Sequence, residues 1–280
     1  MTVSSVTGTK LVASYSQVVV PVDFSAPGWR VLTLANRIAR AFGVPRHVVH
    51  VDTSSPWLDE GAHRLVLGSG PAGVRLKVDV VAARRAALGI VELAGQEQSL
   101  LVMSTRGHTA AAELLTGSTT DEVLRRWRGP LVLAGPRYRP SPVSLRRIVL
   151  CIDPVSAAVP PALAADIHAV AAAFGVPIEV LAVVNHGSSA ESDDLLEQNR
   201  RLEAATDALS TDERVAKLVR LIGSRPGHEI ARYVDATDGT LVALSTHARP
   251  LGGRVLFGST ALAVLRHVTS PVLVRRLTTR

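Results

Sequence analysis

The chain has 280 residues, 47% of them hydrophobic, and a formal charge of +7. That is enough apolar material for one large domain or two ordinary ones with sizeable cores, and no uninterrupted apolar run reaches the roughly 20 residues of a membrane span. The opening MTVSSVTGTKLVASYSQ lacks the charged start and apolar centre of a secretory leader, so the expected compartment is the cytoplasm, with no membrane partner.

Short apolar runs of strand length alternate with longer Ala-rich segments of helical period, the pattern of a parallel sheet with helices on both faces. In chain order the first strand is expected at 17–22, a helix at 27–42 and a strand at 47–51. The stretch 52–73, with Pro56, Gly61, Gly68, Gly70, Pro71 and Gly73, yields no clear element. A strand follows at 75–80, a helix at 83–95, a strand at 99–103, a helix at 118–128 and a strand at 130–134. RYRPSPVSLRR (137–147), rich in Pro, Ser and Arg, reads as a linker. Beyond it come strands at 147–152, 178–184, 214–221, 239–244 and 271–275, with helices at 158–174, 193–209, 227–236 and 259–269.

The second half repeats the first. Shifted by 141 residues, positions 103–133 align with 244–274 without a gap and 10 of the 31 are identical. QVVVPVDFS (17–25) answers RIVLCIDPV (147–155), and AFGVP stands at both 41–45 and 173–177. The period is a whole domain, which divides the chain into 1–140 and 141–280. The last strands, PLVLA (130–134) and PVLVR (271–275), are apolar and end their sheets, so each leaves an edge that needs cover.

Within each copy the first strand ends in Asp, at Asp23 and Asp153. At the carboxyl edge of an open parallel sheet such an Asp can accept a hydrogen bond from a base amino group; it can equally cap the next helix, with Pro27 in that helix's first turn. Ser104-Thr105-Arg106-Gly107 follows the apolar run LLVM, and nine residues further on Gly117-Ser118-Thr119 opens a helix. A glycine permits close backbone approach, and free N–H groups at a helix start suit a phosphate. The bland alternative is a loop glycine followed by an N-cap. No G-x-x-x-x-G-K-[ST] occurs, so a P-loop is excluded.

These residues together resemble the universal stress protein family: the Asp ending the first strand, the small-x-x-Gly-(nine residues)-Gly-Ser loop and the closing PVLV strand stand in the family's order. The resemblance implies two Rossmann-like α/β domains, each a five-stranded parallel sheet of order 3-2-1-4-5, and ATP, with or without Mg²⁺, as the cofactor. Carried across, it implies Asp23, Val51, Met103, Ser104, Gly107, Gly117, Ser118 and Thr119 as nucleotide contacts in the first copy. In the second copy the matching residues are Asp153, Val183, Ser245, Gly258, Ser259 and Thr260. There Ala248 replaces the middle glycine and Pro250 follows, adding a Cβ at the close-approach position and removing a donor; the first domain is therefore the expected binding site. The resemblance also implies antiparallel pairing of the two last strands as an internal pseudo-dimer, with a homodimer through other surfaces left open.

The implied function is that of a stress-response regulator binding an adenine nucleotide, with a degenerate protein-interaction scaffold as the alternative. Turnover, if any, is expected to be slow ATP hydrolysis, since no nucleophile with its base and no G-x-S-x-G elbow can be placed. The nine histidines have no metal-ligand spacing, and Cys151, inside IVLCI, reads as a buried thiol. The basic excess is concentrated in 1–140, yet Leu124-Arg125-Arg126-Trp127-Arg128 lacks an aromatic platform, which disfavours nucleic acid as a partner.

Overall fold

The computed structural model describes residues 15–54, 63–69, 75–95, 98–105, 118–184, 192–210, 217–247, 249–251, 254–256 and 258–277. The first half runs β1 (Gln17–Pro21), α1 (Ala26–Phe42), β2 (Arg46–Asp52), β3 (His63–Ser69), β4 (Arg75–Ala82), α2 (Ala86–Ala94), β5 (Ser99–Ser104), α3 (Ser118–Arg126) and β6 (Leu131–Ala134). The second runs β7 (Arg147–Cys151), α4 (Pro161–Phe174), β8 (Ile178–Val184), α5 (Ser192–Leu209), β9 (Lys217–Ile222), α6 (Pro226–Asp235) and β10 (Thr240–His247). After β10 come the short strands β11 (Arg249–Leu251) and β12 (Arg254–Leu256), then α7 (Ser259–His267) and β13 (Val272–Leu277).

The class is α/β, but strand count and order depart from two separate five-stranded sheets. Eleven strands form one sheet in the order β3-β4-β2-β1-β5-β6-β13-β10-β7-β8-β9. The first half supplies six of them. Its extra strand, β3, pairs antiparallel with β4 from His63↔Val81 to Ser69↔Arg75, in the stretch where the glycines and prolines hid a short alternating run. β3 is a sheet margin, and its Leu65 and Leu67 are exposed. In the second half α5 lies between β8 and β9, and the outer margin is β9 itself. A second departure is the antiparallel β11–β12 pair, which is formed by residues expected to be loop.

The repeated AFGVP has a local physical meaning. Gly43 and Gly175 take φ of 66° and 65° at the ends of α1 and α4, and each donates its N–H back to the last turn. Only a residue without Cβ does this without strain. The prolines that follow lend their carbonyls to the next ladder: Val18 N–H donates to Pro45 O and Ile148 N–H to Pro177 O. One pentapeptide thus stops a helix and sets the register of the first strand of each half.

The halves are joined at the middle of the sheet. β6 and β13 pair antiparallel, with Val272↔Leu133, Leu273↔Val132 and Val274↔Leu131. All six residues are buried, each such side chain contributing about 1.5–3 kcal/mol. One face of the sheet is covered by α1, α4 and α5, the other by α2, α3, α6 and α7. Just past β6, Gly135 lies so close to α7 that a Cβ there would stand 2.1 Å from the Leu265 carbonyl oxygen. The linker is held by Arg37 of α1, whose Nη1 donates to the carbonyls of Ser141 and Val143 at 2.9 and 2.6 Å.

Candidate functional site

β1 and β5 lie side by side, and both carboxyl ends open on the same edge of the sheet. Past β1 the chain turns sharply. The Asp23 carboxylate accepts hydrogen bonds from the Ser25 N–H, at 3.0 Å, and from the Ser25 hydroxyl. Ser25 in turn accepts from Gly28 N–H at 3.2 Å and is the N-cap of α1. The sequence alternative of Asp23 as the cap is thereby corrected: Asp23 orients the cap, because it sits two residues too early to reach the helix N–H groups itself. Gly28 is part of this turn, since a Cβ on it would stand 2.6 Å from Asp23 Oδ1.

Between Asp23 and Ser25, Phe24 adopts a left-handed φ of 60°. For a residue with a Cβ that conformation is uncommon and concentrates at functional turns. It sets the partly exposed Phe24 ring 4.5 Å from the His50 ring and 5.6 Å from that of Trp29. His50 Nδ1 donates to the Val22 carbonyl at 2.8 Å, which locks the imidazole beside the strand end. Reading the nine histidines for metal-ligand spacing alone did not anticipate this aromatic cluster.

Val51 and Met103 lie close to the edge, but their side chains are core. Val51 packs under α2, where a Cβ on Gly89 would stand 2.8 Å from its Cγ1, and Met103 is buried in the same layer. Ser104 ends β5 opposite Ala134 and borders a small cleft with Pro27 and Arg30 of α1 and with Gly135, Pro136 and Tyr138. Thr105 is turned inward, its N–H and hydroxyl both donating to Ala134 O at 3.0 and 3.3 Å. Ser118 is exposed and Thr119 partly so at the start of α3, whose first turn carries Asp121. Gly107 and Gly117 lie outside the described residues. Arg30 and Tyr138 carried no sequence signal, since only the crossing of α1 over the β5 and β6 ends brings them to Ser104.

In the second half the same positions are arranged differently. Asp153 accepts from Val155 N–H at 3.1 Å, and α4 begins only at Pro161, with no side-chain cap. Ala157 takes a positive φ of 47° in that longer turn, which Arg201 of α5 ties down through the Val155 carbonyl. Val183 is buried in β8. Ser245 stands opposite Arg275, where Ser104 stands opposite Ala134. Arg275 Nε lies 3.4 Å from the carboxylate of the buried Asp166 on α4. The loop matching the first half's phosphate motif carries the β11–β12 pair, with Pro250 opposite Val255, and β12 contacts α3 of the first half. Gly258 is exposed before Ser259 and Thr260, and the first turn of α7 holds no acidic residue.

The described residues contain no group of three or more His, Cys, Asp or Glu able to hold a metal ion. Burial pushes the Cys151 thiol up to about 12, which leaves it unreactive. No described helix is long and apolar enough to cross a membrane.

A model of the universal stress protein family matches residues 14–134 and again 144–276. Among solved structures, a universal stress protein from Archaeoglobus fulgidus superposes with a TM-score of 0.64 at 15% identity, over 93% of this chain and 98% of that one. A protein of unknown function from Pseudomonas aeruginosa superposes equally well, with a TM-score of 0.64 at 14% identity, over 94% and 93%. At such identities the likeness is one of fold. No protein of curated function matches the chain.

Proposed function

The chain belongs to the universal stress protein family, and we propose that it acts in stress response as a regulatory module whose first half binds an adenine nucleotide, with ATP the expected ligand. The observation that carries the reading is the cleft where Ser104 meets Pro27, Arg30 and Gly135. It lies at the carboxyl edge of a parallel sheet, where open α/β folds take their ligands. Small residues at 104, 134 and 135 keep the backbone approachable, and Arg30 supplies a cation for a phosphate. Ser118 and Thr119, at the start of α3, would add N–H donors. Asp121 in the same turn opposes an anion, so most of the phosphate affinity must come from Arg30 and the loop. The described residues offer Mg²⁺ no ligand set of their own. A metal here would arrive with the phosphates.

The second half is the weaker candidate. Arg275 occupies the position of Ala134 and is engaged with Asp166, and the motif loop is committed to a strand pair that contacts α3. The alternative is a degenerate member that binds no nucleotide and whose duplicated sheets serve as a protein-interaction scaffold.

Calorimetry with ATP on Gly117→Val and Gly258→Val decides between these readings. A β-branched residue at 117 is expected to abolish binding. At 258 a Cβ meets nothing within 4 Å, so that variant folds normally and is expected to bind ATP like the parent. Loss of binding at 258 with retention at 117 reverses the assignment, and no binding by the unaltered protein at millimolar ATP favours the scaffold.

A further inference from the structure

We propose that the apolar pocket between α1, α4 and the linker is a binding site for a small neutral aromatic molecule. The pocket leaves about 50 Å³ for the centres of water-sized spheres, several times the roughly 10–15 Å³ that a single water needs. Its walls are Leu34 and Ile38 of α1, Val170 and Phe174 of α4, Tyr138 and Leu145. Its floor is formed by the buried strands at the centre of the sheet, including Leu100, Val132 and Leu241.

The nature of the occupant follows from the internal repeat. The alignment of 17–25 with 147–155 places Tyr15 in register with Leu145. The two AFGVP segments place Phe42 in register with Phe174, and Leu34 with Asp166. At the Tyr15 end of the α1/α4 seam, protein side chains occupy the space. The Tyr15 ring lies 4.8 Å from that of Phe42, and its hydroxyl donates to Asp166 at 3.0 Å, with Arg275 on the other carboxylate oxygen. At the linker end leucines stand in place of both Tyr15 and Asp166. The ring and its ion pair are gone, the backbone frame is retained, and a space shaped for an aromatic ring stays open.

Neutrality follows from the charges. Arg37, the basic residue lining the pocket, has its guanidinium engaged by the linker carbonyls of Ser141 and Val143, which fixes the linker as the outer wall. Burial raises the Tyr138 hydroxyl to about 12, so it remains a neutral phenol. An apolar pocket with rigid walls gains by replacing weakly held water with a ring. Tyr138 borders both this pocket and the cleft at Ser104, but the pocket sits at the amino-terminal ends of β7 and β10 beneath the linker, and its one guanidinium is already engaged by linker carbonyls, so a phosphate finds no partner there.

Indole and p-cresol, titrated into the full chain without nucleotide and followed by thermal shift and calorimetry, are the probes. Saturable one-to-one binding with a rise in Tm is expected. Leu145→Tyr, which copies the filled end, is expected to weaken indole at least tenfold while leaving the protein folded by circular dichroism. Leu34→Phe fills the space from the opposite wall and is expected to act likewise, so it decides the matter if the first variant is unstable. Leu65→Ala, on the exposed margin strand, is expected to leave binding unchanged. Absence of saturable binding up to the solubility of both probes, or unchanged binding in a folded filling variant, overturns the proposal.

Discussion

The two halves of the chain share a backbone plan and differ where their strands end. In the first half β5 stops at Ser104 beside Ala134 and Gly135, small residues that leave a cleft against α1. In the second half Ser245 faces Arg275, whose guanidinium turns to the buried Asp166. At the α1/α4 seam the contrast runs the other way, with Tyr15 and Asp166 filling one end and leucines leaving the other open. Duplication thus preserved the main-chain frame, and exchanges among a few residues between small, charged and apolar decided which spaces stayed open. Main-chain geometry tolerates such exchanges because the ladder does not depend on side-chain identity.

The largest expected effect lies in the filled end. Arg275→Leu leaves Asp166, 2% exposed, buried beside Tyr15 without its cation, at an expected cost of about 3–5 kcal/mol in urea unfolding. Adding Asp166→Leu should restore most of that loss, making the second half resemble the first. A double variant as unstable as the single one would break the comparison.

The same carboxyl makes stability depend on pH. Burial raises Asp166 from 3.8 to about 6, the leading cause, against the opposing pull of Arg275 and the Tyr15 hydrogen bond. Over that window the native state keeps a proton that the unfolded chain has released, so stability is expected to fall as pH rises from about 4 to about 6, by on the order of 3 kcal/mol. Asp166→Asn should flatten this part of the profile. An unchanged profile in that variant would assign the pH dependence to another group.

Next in size is Gly135→Ala. Its methyl group would meet the Leu265 carbonyl oxygen, and since both partners are backbone neither can swing aside. A loss of about 1–3 kcal/mol is expected, read as a lower urea midpoint together with faster hydrogen exchange across the β6–β13 ladder. The corresponding residue of the second half, 141 positions on, is Arg276, so the close approach belongs to one half alone. Exchange that accelerates only at β3 and β4 would show that Gly135 does not hold the seam.

The smallest effect tests the two turns after the first strands. Ser25→Ala removes the cap of α1 and is expected to cost about 1 kcal/mol. Pro160→Ala, at the corresponding position before α4 where no side chain caps, should fall within about 0.5 kcal/mol of the parent. Equal losses at both would mean that the Ser25 hydroxyl contributes little beyond its place in the turn.

Much of this plan was legible in the sequence, for local reasons. Apolar runs of four to six residues read as buried strands when longer Ala-rich helical segments separate them, and AFGVP carries its own stop signal in Gly43 and Gly175. The internal repeat is a property of the string itself, as is the loss of a glycine at Ala248. Elements that failed to declare themselves depend on a pairing partner rather than on a pattern of their own. β3 is a strand because β4 offers it an unpaired edge, and its alternation His63–Ser69 is too short to stand out among glycines. Residues 249–256 hold two paired strands that neither periodicity nor turn chemistry marked.

The site divides in the same way. Asp23, Ser104 and Ser118 could be named from spacing because each sits at a strand end or helix start, positions that chain order alone determines. Arg30 and Tyr138 join Ser104 only because α1 crosses the sheet and the chain beyond β6 folds back, and nothing in either residue's own neighbourhood says so. Tyr15, Asp166 and Arg275 are further apart still, up to 260 positions in sequence, and meet because β13 lies antiparallel to β6 and brings the end of the chain to its beginning. Sequence by itself determined the elements, their duplication and the small residues that permit close approach, since these follow from local sterics and hydrophobic period. Which spaces were filled and which left open was decided by tertiary structure alone, because that depends on the side chains the long-range pairing sets face to face.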